Sequence, residues 1–166
     1  HADIHFLGRN PLNNELYVGC DGGVHYTATE GNTFVNTNSG LAITQFYNLG
    51  ISQKSKSRFF AGAQDNGTSI GSTPTGWVSE LGGDGMQCEI SNFDTTKLFG
   101  SQYNGSLNRS INNGGSWSSI GSSITDAGPW VTPYHLHPRV NDIMVAVYKN
   151  PWISYNVITG TASFVS

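Results

Sequence analysis

The strongest indication of fold in this sequence is a pattern that occurs four times, with about 40 residues between successive copies. Each copy has an apolar strand that ends in a small residue, then a turn that is often rich in Gly and Asn, and then a second strand. The small residues that mark the copies are Gly19, Gly62, Gly100 and Ala146. Repeats of this length with several short strands each are typical of the blades of β-propellers. The sequence therefore predicts an all-β fold, a partial β-propeller of about four four-stranded blades.

The strands of each copy are predicted from short apolar runs bounded by Gly, Asn, Asp, Ser and Pro. The first strands are predicted at 4–8, 46–51, 87–90 and 134–137, and the second strands at 15–19, 58–62, 97–100 and 143–146. The corresponding blades are approximately 1–41, 42–83, 84–126 and 127–166. No linker or low-complexity tract separates them, so we expect a single continuous propeller segment.

A four-stranded blade cannot cover both of its faces by itself, and neighbouring blades supply the missing contacts. Four blades is the low end of known propellers. The segment either closes by itself as a small propeller or belongs to a larger ring. We expect the second, with the remaining blades of a parent protein completing the ring. The chain begins with His1 rather than Met, which fits a mature or excised piece of a longer protein.

The composition narrows the class of protein. Charged residues make up 11% of the chain, well below the usual share, and Gly occurs 21 times, which favours an extracellular β-protein, either secreted or on the cell surface. The net charge of −3 provides no broad basic surface for nucleic acid, and no apolar stretch is long enough to span a membrane. Two cysteines, Cys20 and Cys88, are too few for a disulfide framework. They either pair with each other or are two small buried thiols.

One loop has a recognisable motif. The segment 110–117, through Ser110, Asn112, Gly114 and Trp117, resembles the Asp-box hairpin of bacterial neuraminidase repeats, with Asn112 in place of the usual Asp. Segments 27–34 and 154–160 resemble it more weakly. In such a hairpin a short polar side chain bonds the turn backbone and the aromatic residue packs between sheets. We therefore expect a structural role for these four residues.

The chain as a whole resembles the sortilin-like and Asp-box propellers of secreted bacterial proteins. These include the tandem-propeller glycoside hydrolases that cleave xyloglucan. The other segments that carry the resemblance are 1–5, 21–23, 64–68, 82–85 and 130–133. The resemblance implies a propeller but leaves the activity open, because this fold hosts hydrolases, lyases, receptors and assembly factors.

Several carboxylates fall in turns that should share one face of a propeller, namely the turns before first strands and those between second and third strands. We expect them to gather on one rim: Asp3, Asp21, Asp65 and Asp84. A pair drawn from these could supply the acid and base for glycoside cleavage, or several could bind calcium. The competing interpretation is that Asp next to Gly or Asn only forms the turn.

A second candidate site lies at the start of the chain. His1, Asp3 and His5 alternate, so on a regular strand their side chains would point to one side. Two imidazoles and a carboxylate could bind zinc or another transition metal. The alternative is a polar strand that lines a wet central channel, and channel lining or packing is also what we expect of His135 and His137.

Trp130 is the best candidate for an exposed aromatic residue that stacks on a sugar, because Gly128 and Pro129 place it in a loop. Short loops provide no deep cleft for catalysis. We therefore expect a module that binds a glycan or protein partner without catalysis, through a rim that contains Asp65, Asn66, Asp84 and Trp130. The alternatives are a glycoside hydrolase of the endo-glucanase or xyloglucanase type, and a purely structural segment of a ring.

Overall fold

The structure is a computed structural model that describes residues 3–72 and 76–166. In these residues the strands form four antiparallel sheets of four strands, each in sequential order. The all-β fold expected from the repeats, with four-stranded blades, is confirmed. Within the same residues, no helix has the length and the apolar character that a membrane span requires.

The strands are numbered along the chain. The first sheet contains β1 (Ile4–Arg9), β2 (Leu16–Cys20), β3 (Gly23–Thr27) and β4 (Val35–Asn36). The second sheet contains β5 (Phe46–Ile51), β6 (Arg58–Ala63), β7 (Gly67–Ser72) and β8 (Gly76–Ser79). The third sheet contains β9 (Gly85–Ile90), β10 (Leu98–Gln102), β11 (Ser106–Ser110) and β12 (Ser118–Ser119), with a short 3-10 turn (Tyr103–Gly105) between β10 and β11. The fourth sheet contains β13 (Tyr134–Leu136), β14 (Met144–Val147), β15 (Pro151–Ser154) and β16 (Phe164–Val165).

The chain divides into two compact units. Unit 1 (His1–Gln45) contains the first sheet, and unit 2 (Phe46–Ser166) contains the other three. In unit 1, Val18 and Thr27 are buried, and the rings of Tyr17 and Tyr26 stack across β2 and β3 with centroids 5.5 Å apart. Most apolar side chains of β1 are exposed.

Side-chain alternation explains how the strands of unit 2 build a core. In β14, Met144 and Ala146 are fully buried, whereas Val145 and Val147 are exposed on the opposite face. This is the two-residue period of a strand that packs on one side only. The buried face joins a cluster between the third and fourth sheets, in which Tyr134 is buried and its hydroxyl lies 2.6 Å from the Phe99 carbonyl oxygen.

The second and third sheets approach each other at glycines. A Cβ added to Gly62 of β6 would lie 2.1 Å from the Met86 carbonyl oxygen, and one added to Gly50 of β5 would lie 2.6 Å from that of Cys88. Neither position can therefore carry a side chain without moving β9. Beside this contact, the rings of Phe60 and Trp117 stack with centroids 5.5 Å apart in a second buried cluster.

Both cysteines are free thiols. Cys20 is half-buried in unit 1, whereas Cys88 is buried in unit 2, and its burial raises the pKa of the thiol well above its ordinary value. Of the two interpretations of the sequence, the structure therefore favours unpaired thiols, although only Cys88 is fully buried.

Gly62→Ala is expected to lower the free energy of unfolding by about 1–3 kcal/mol, because the new methyl group would overlap the β9 backbone. The matched control is Gly82→Ala, where no atom lies within 4 Å of the added Cβ and the change should stay within about 0.5 kcal/mol. Urea denaturation of the three proteins measures both values. Equal stabilities for the two variants would contradict the close approach of the second and third sheets.

Candidate functional site

In unit 2 the turns before first strands and the turns between second and third strands lie at the same end of each sheet. The pairing of Gly85 with Gln102, and of Gln102 with Ser106, places the start of β9 beside the turn between β10 and β11. The pairing of Ala63 with Phe46 and Gly67 does the same in the second sheet. We call this end of the three sheets the turn rim of unit 2.

Asp65 and Asp84 meet on the turn rim. The backbone N–H of Asp65 donates a hydrogen bond to Oδ1 of Asp84 at 2.9 Å. Asp65 has a φ of 58°, a left-handed conformation that Asp tolerates in tight turns. The contact agrees with the expectation that these residues share a rim, and it gives Asp84 a structural role in holding the β6–β7 turn.

Asn66 folds back on its own turn. Both its backbone N–H and its Nδ2 lie within hydrogen-bonding distance of the Gln64 carbonyl oxygen, at 2.7 and 3.2 Å. This is the local bonding that favours Asn in turns. The side chain is half-buried, so less of it is available to a ligand than the sequence interpretation assumed.

An exposed aromatic pair is the most prominent feature of the turn rim. The rings of Tyr103 and Trp130 stack with centroids 5.5 Å apart and an interplanar angle of 19°. The side chains remain 47% and 46% exposed. We call this pair the aromatic platform. A flat, half-exposed pair of rings offers stacking surface to a planar or ring-shaped ligand.

Backbone contacts hold the aromatic platform in place. The N–H of Asn104 donates to the Trp130 carbonyl oxygen at 3.2 Å, which ties the β10–β11 turn to the loop before β13. Gly128 permits this approach, because a Cβ there would lie 2.5 Å from Thr132 Oγ1 and 2.8 Å from the Asn104 carbonyl oxygen. The buried Thr132 hydroxyl in turn donates to the Pro129 carbonyl oxygen at 2.9 Å.

A further bond links the aromatic platform to the Asp84 turn. Nε2 of Gln102, the residue before Tyr103, donates to the Gly82 carbonyl oxygen at 2.7 Å. The turn rim therefore presents a half-buried carboxylate, an amide side chain and the two aromatic rings along one continuous stretch of unit 2.

In unit 1, Asp3 and Asp21 also come together, with one carboxylate oxygen of each within 4.8 Å of the other. His5 Nε2 lies 2.9 Å from Asp21 Oδ1. Asp3 has a φ of 54° and precedes β1, and the pairing of β1 with β2 is irregular between Ile4 and Phe6. The strict alternation assumed for a zinc site therefore does not hold along this stretch, and His1 lies outside the described residues.

These two carboxylates could share a hard cation such as calcium, or act as a closely spaced pair in acid–base chemistry. The second use needs one carboxyl to stay protonated while the other is ionised. Calcium at the carboxylates, and zinc at His1, Asp3 and His5, both stay predictions.

The motif loop in the third sheet is held by its own side chains. Asn112 Oδ1 accepts the Ser116 N–H at 2.9 Å, and Ser110 Oγ accepts the Gly114 N–H at 2.9 Å. Trp117 donates from Nε1 to Glu80 Oε2 at 3.1 Å. The loop that follows β3 repeats this pattern, since Thr29 Oγ1 accepts the Thr33 N–H at 2.9 Å. These contacts join the side chains of the motif loop to its own backbone and to Glu80. A purely structural role for the motif residues stays a prediction.

The sequence interpretation missed a second polar feature, which lies between the inner strands β5, β9 and β13. Glu89 of β9 accepts the Leu136 N–H through Oε2 at 2.8 Å, and its Oε1 lies 2.6 Å from His135 Nδ1. Gln87 donates from Nε2 to the Tyr134 carbonyl oxygen at 3.3 Å. The spacing of Gln87 and Glu89 on a predicted strand was the available signal, because alternation places both side chains on one face.

Burial raises the pKa of the Glu89 carboxyl above its ordinary value. The Leu136 N–H and His135 act in the opposite direction but do not outweigh burial. The Glu89 side chain is only 18% exposed, whereas that of His135 is 78% exposed. A mostly buried carboxyl thus lines a cavity between β5, β9 and β13, with a solvent-accessible imidazole beside it.

Comparison with known proteins shows likeness in fold only. The chain matches no protein-family model and no curated protein. Among solved structures, it is similar to the GH74 enzyme of Niastella koreensis, with a TM-score of 0.58 and 13% identity over 98% of this chain and 30% of that one. It is also similar to an ancestral GH74 enzyme, with a TM-score of 0.50 and 12% identity over 91% of this chain and 24% of that one.

This chain therefore spans less than a third of the enzymes that it matches. The likeness confirms the expected similarity to part of a larger propeller of the glycoside hydrolase type at the level of fold. Identities this low do not carry residue roles or activity across.

Glu89→Gln replaces the titratable carboxyl by an amide, whose oxygen can still accept the Leu136 N–H. Because the pKa of Glu89 is raised in the folded protein, the folded state holds a proton that the unfolded chain releases above about pH 4.5. The wild type should be most stable relative to the variant below that pH. This advantage should be lost as the pH rises through the folded-state pKa.

Urea denaturation between about pH 4 and pH 8 measures this difference. Glu30→Gln, at an exposed position of unit 1, is the control for a general effect of removing one carboxylate. A difference between wild type and Glu89→Gln that is constant across the range, or that grows in favour of the wild type as the pH rises, would contradict the burial effect.

Proposed function

We propose that this chain is a propeller module that binds a glycan through the turn rim of unit 2, without catalysis of its own. The observation that carries the proposal is the aromatic platform, in which Tyr103 and Trp130 stack and yet each remains nearly half exposed. Exposed aromatic pairs are uncommon on surfaces that bind nothing, because burial of such rings is strongly favourable.

The surroundings of the aromatic platform suit a sugar better than a purely apolar ligand. An amide from Gln102 and a carboxylate from Asp84 lie along the same rim, and both can bond hydroxyl groups. The hydrogen bond from the Asn104 N–H to the Trp130 carbonyl oxygen ties together the two loops that carry the rings before a ligand arrives. A preorganised surface of this kind loses little side-chain entropy on binding.

Binding without catalysis is supported by how the rim carboxylates are used. Asp84 accepts the backbone N–H of Asp65, and Asp65 occupies a left-handed turn position. Carboxylates that hold turns are poorly placed to act as a nucleophile and an acid.

We also propose that further blades of a larger ring are partners of this chain, and that the protein is secreted or on the cell surface. The matched GH74 enzymes are more than three times as long as the aligned part. Exposed apolar side chains of the second and fourth sheets support the first proposal, because further blades could cover them: Trp77, Val145 and Val147. The low charge and high Gly content support the second.

Trp130→Ala is expected to weaken binding to a responsive polysaccharide at least about tenfold, because it removes half of the aromatic platform. Affinity electrophoresis against plant and bacterial polysaccharides, followed by calorimetry, measures the change. Tyr155→Ala removes another well-exposed aromatic ring from unit 2 and should leave affinity unchanged. A polysaccharide that binds the wild type and Trp130→Ala equally, with both proteins folded, would overturn the proposal.

A second candidate function, glycoside hydrolysis, is favoured by one observation. The Asp3 and Asp21 carboxylates of unit 1 are close enough for a retaining mechanism, in which the two groups stand about 5–5.5 Å apart. Their spacing is shorter than the roughly 6.5–9.5 Å that an inverting mechanism needs. Asp3 is exposed, and His5 lies against Asp21.

Release of reducing ends from β-glucans and xyloglucan tests this second function. If the wild type is active, Asp21→Asn should abolish the activity, while Asp94→Asn, at a carboxylate far along the chain in unit 2, should keep it. Activity that survives Asp21→Asn would exclude this carboxylate pair as its source. Absence of activity in the wild type removes the second function and leaves the binding proposal standing.

A further inference from the structure

A cavity of about 280 Å³ lies in unit 2 between the inner strands of its three sheets. Its walls come from β5, β9 and β13, and Gln53 and Asn92 line it from the turns that follow β5 and β9. Those turns are at the opposite end of the strands from the turn rim. The cavity is therefore separate from the aromatic platform, although β9 begins at the turn rim and lines the cavity farther along.

The cavity presents amide groups that the protein does not use. Within residues 3–72 and 76–166, the side chains of Gln53 and Asn92 make no hydrogen bond to other protein groups. Asn48 uses Oδ1 to accept the Cys88 N–H at 3.2 Å, and within the described part of the chain its NH₂ group makes no hydrogen bond to another protein group. Amides both donate and accept, so these three side chains can serve a ligand that also does both.

The charge of the lining argues against an ionic ligand. Among the residues that the structure describes, no Lys or Arg lines the cavity, so an anion would meet no Lys or Arg side chain there. Its carboxylate, Glu89, already receives the Leu136 N–H and lies against His135. A cationic ligand would have to displace that imidazole. A neutral ligand could bind without a cationic partner and without displacing His135 from Glu89.

Part of the remaining wall is aliphatic. Leu49, Ile51 and Leu136 line the cavity beside the amides. A ligand that presents C–H groups on one side and hydroxyl groups around its edge would satisfy both kinds of wall. The volume is at the small end for ligand sites, which suits a molecule with a single ring.

We propose that this cavity binds a neutral polyhydroxylated ligand, that is, one unmodified sugar residue. Gln53, Asn92 and the NH₂ group of Asn48 bond its hydroxyls, and Leu49, Ile51 and Leu136 contact its C–H face. The exposed Nε2 edge of His135 offers one more polar contact at the mouth. The site does not depend on the aromatic platform, and it recognises a small sugar rather than the surface of a polysaccharide.

The test uses the full 166-residue chain with D-glucose, D-xylose, D-galactose, D-mannose and cellobiose as probes. Titrations followed by ¹⁵N–¹H NMR report directly on the side-chain NH₂ groups of Gln53, Asn92 and Asn48. At least one probe should shift these resonances in a saturable manner. D-Glucuronate should bind at least about tenfold more weakly than the matching neutral sugar, because Glu89 disfavours an anion.

The double variant Gln53→Ala/Asn92→Ala should lower the affinity for the responsive sugar at least about tenfold. Each lost hydrogen bond lowers affinity on the order of threefold to tenfold. Gln53→Glu/Asn92→Asp keeps the shape of both side chains but removes their NH₂ donors, so it should also weaken sugar binding. This variant replaces the alanine variant in the test if the alanine variant does not fold. Asn32→Ala, at an exposed amide of unit 1, is the matched control and should bind as the wild type does.

The outcomes separate the two proposed sites. The proposal that the cavity binds a sugar is supported if saturable shifts persist in Trp130→Ala but are lost in the double variant. This conclusion does not depend on the result of the polysaccharide experiments. No saturable shift of the cavity amides with any probe, or a response that the double variant retains in full, overturns the cavity proposal and leaves the aromatic platform to be judged on its own test.

Discussion

The architecture of unit 2 depends on how closely its second sheet approaches its third. Gly50 and Gly62 place the backbone of β5 and β6 against β9 at distances that no side chain allows. This contact brings the inner strands close enough for side chains of one sheet to bond the free backbone edge of the next. Asn48 accepts the Cys88 N–H, and Glu89 accepts the Leu136 N–H. Inner edges that would otherwise be unpaired are thereby satisfied without a continuous ladder between sheets.

The same edge bonds explain why unit 2 carries two different polar regions. At one end of β9, Asp84 holds a turn beside the aromatic platform of Tyr103 and Trp130. Near the other end, Glu89 is buried against β13 and faces a cavity. A short strand of six residues thus connects a flat exposed surface to a partly open cavity. The first suits an extended ligand, and the second suits a small one, because contact area and enclosure differ between them.

Part of the candidate site could be predicted from turn positions alone. Asp65 and Asp84 were expected on one rim because propeller turns alternate between two ends, and they are hydrogen-bonded there. Trp130 was expected to be exposed because Gly and Pro precede it. Its stacking on Tyr103 was not predicted, since it depends on a backbone bond between two loops that are distant in sequence. The Glu89–His135 contact was missed for the same reason, because the strands that carry these residues belong to different sheets.

The sequence by itself determined the strands, their order within each sheet and the positions of the tight turns. These follow from local rules: apolar runs form strands, and Gly, Asn and Asp allow the left-handed backbone seen at Asp65 and Asn104. The predicted strand at 46–51 matches β5 in both of its ends. Only the tertiary structure decided which glycines face a neighbouring sheet, which carboxyl is buried, and which aromatic rings meet. Those outcomes depend on distances between sheets, and such distances are set by packing across residues far apart in the chain rather than by any local pattern.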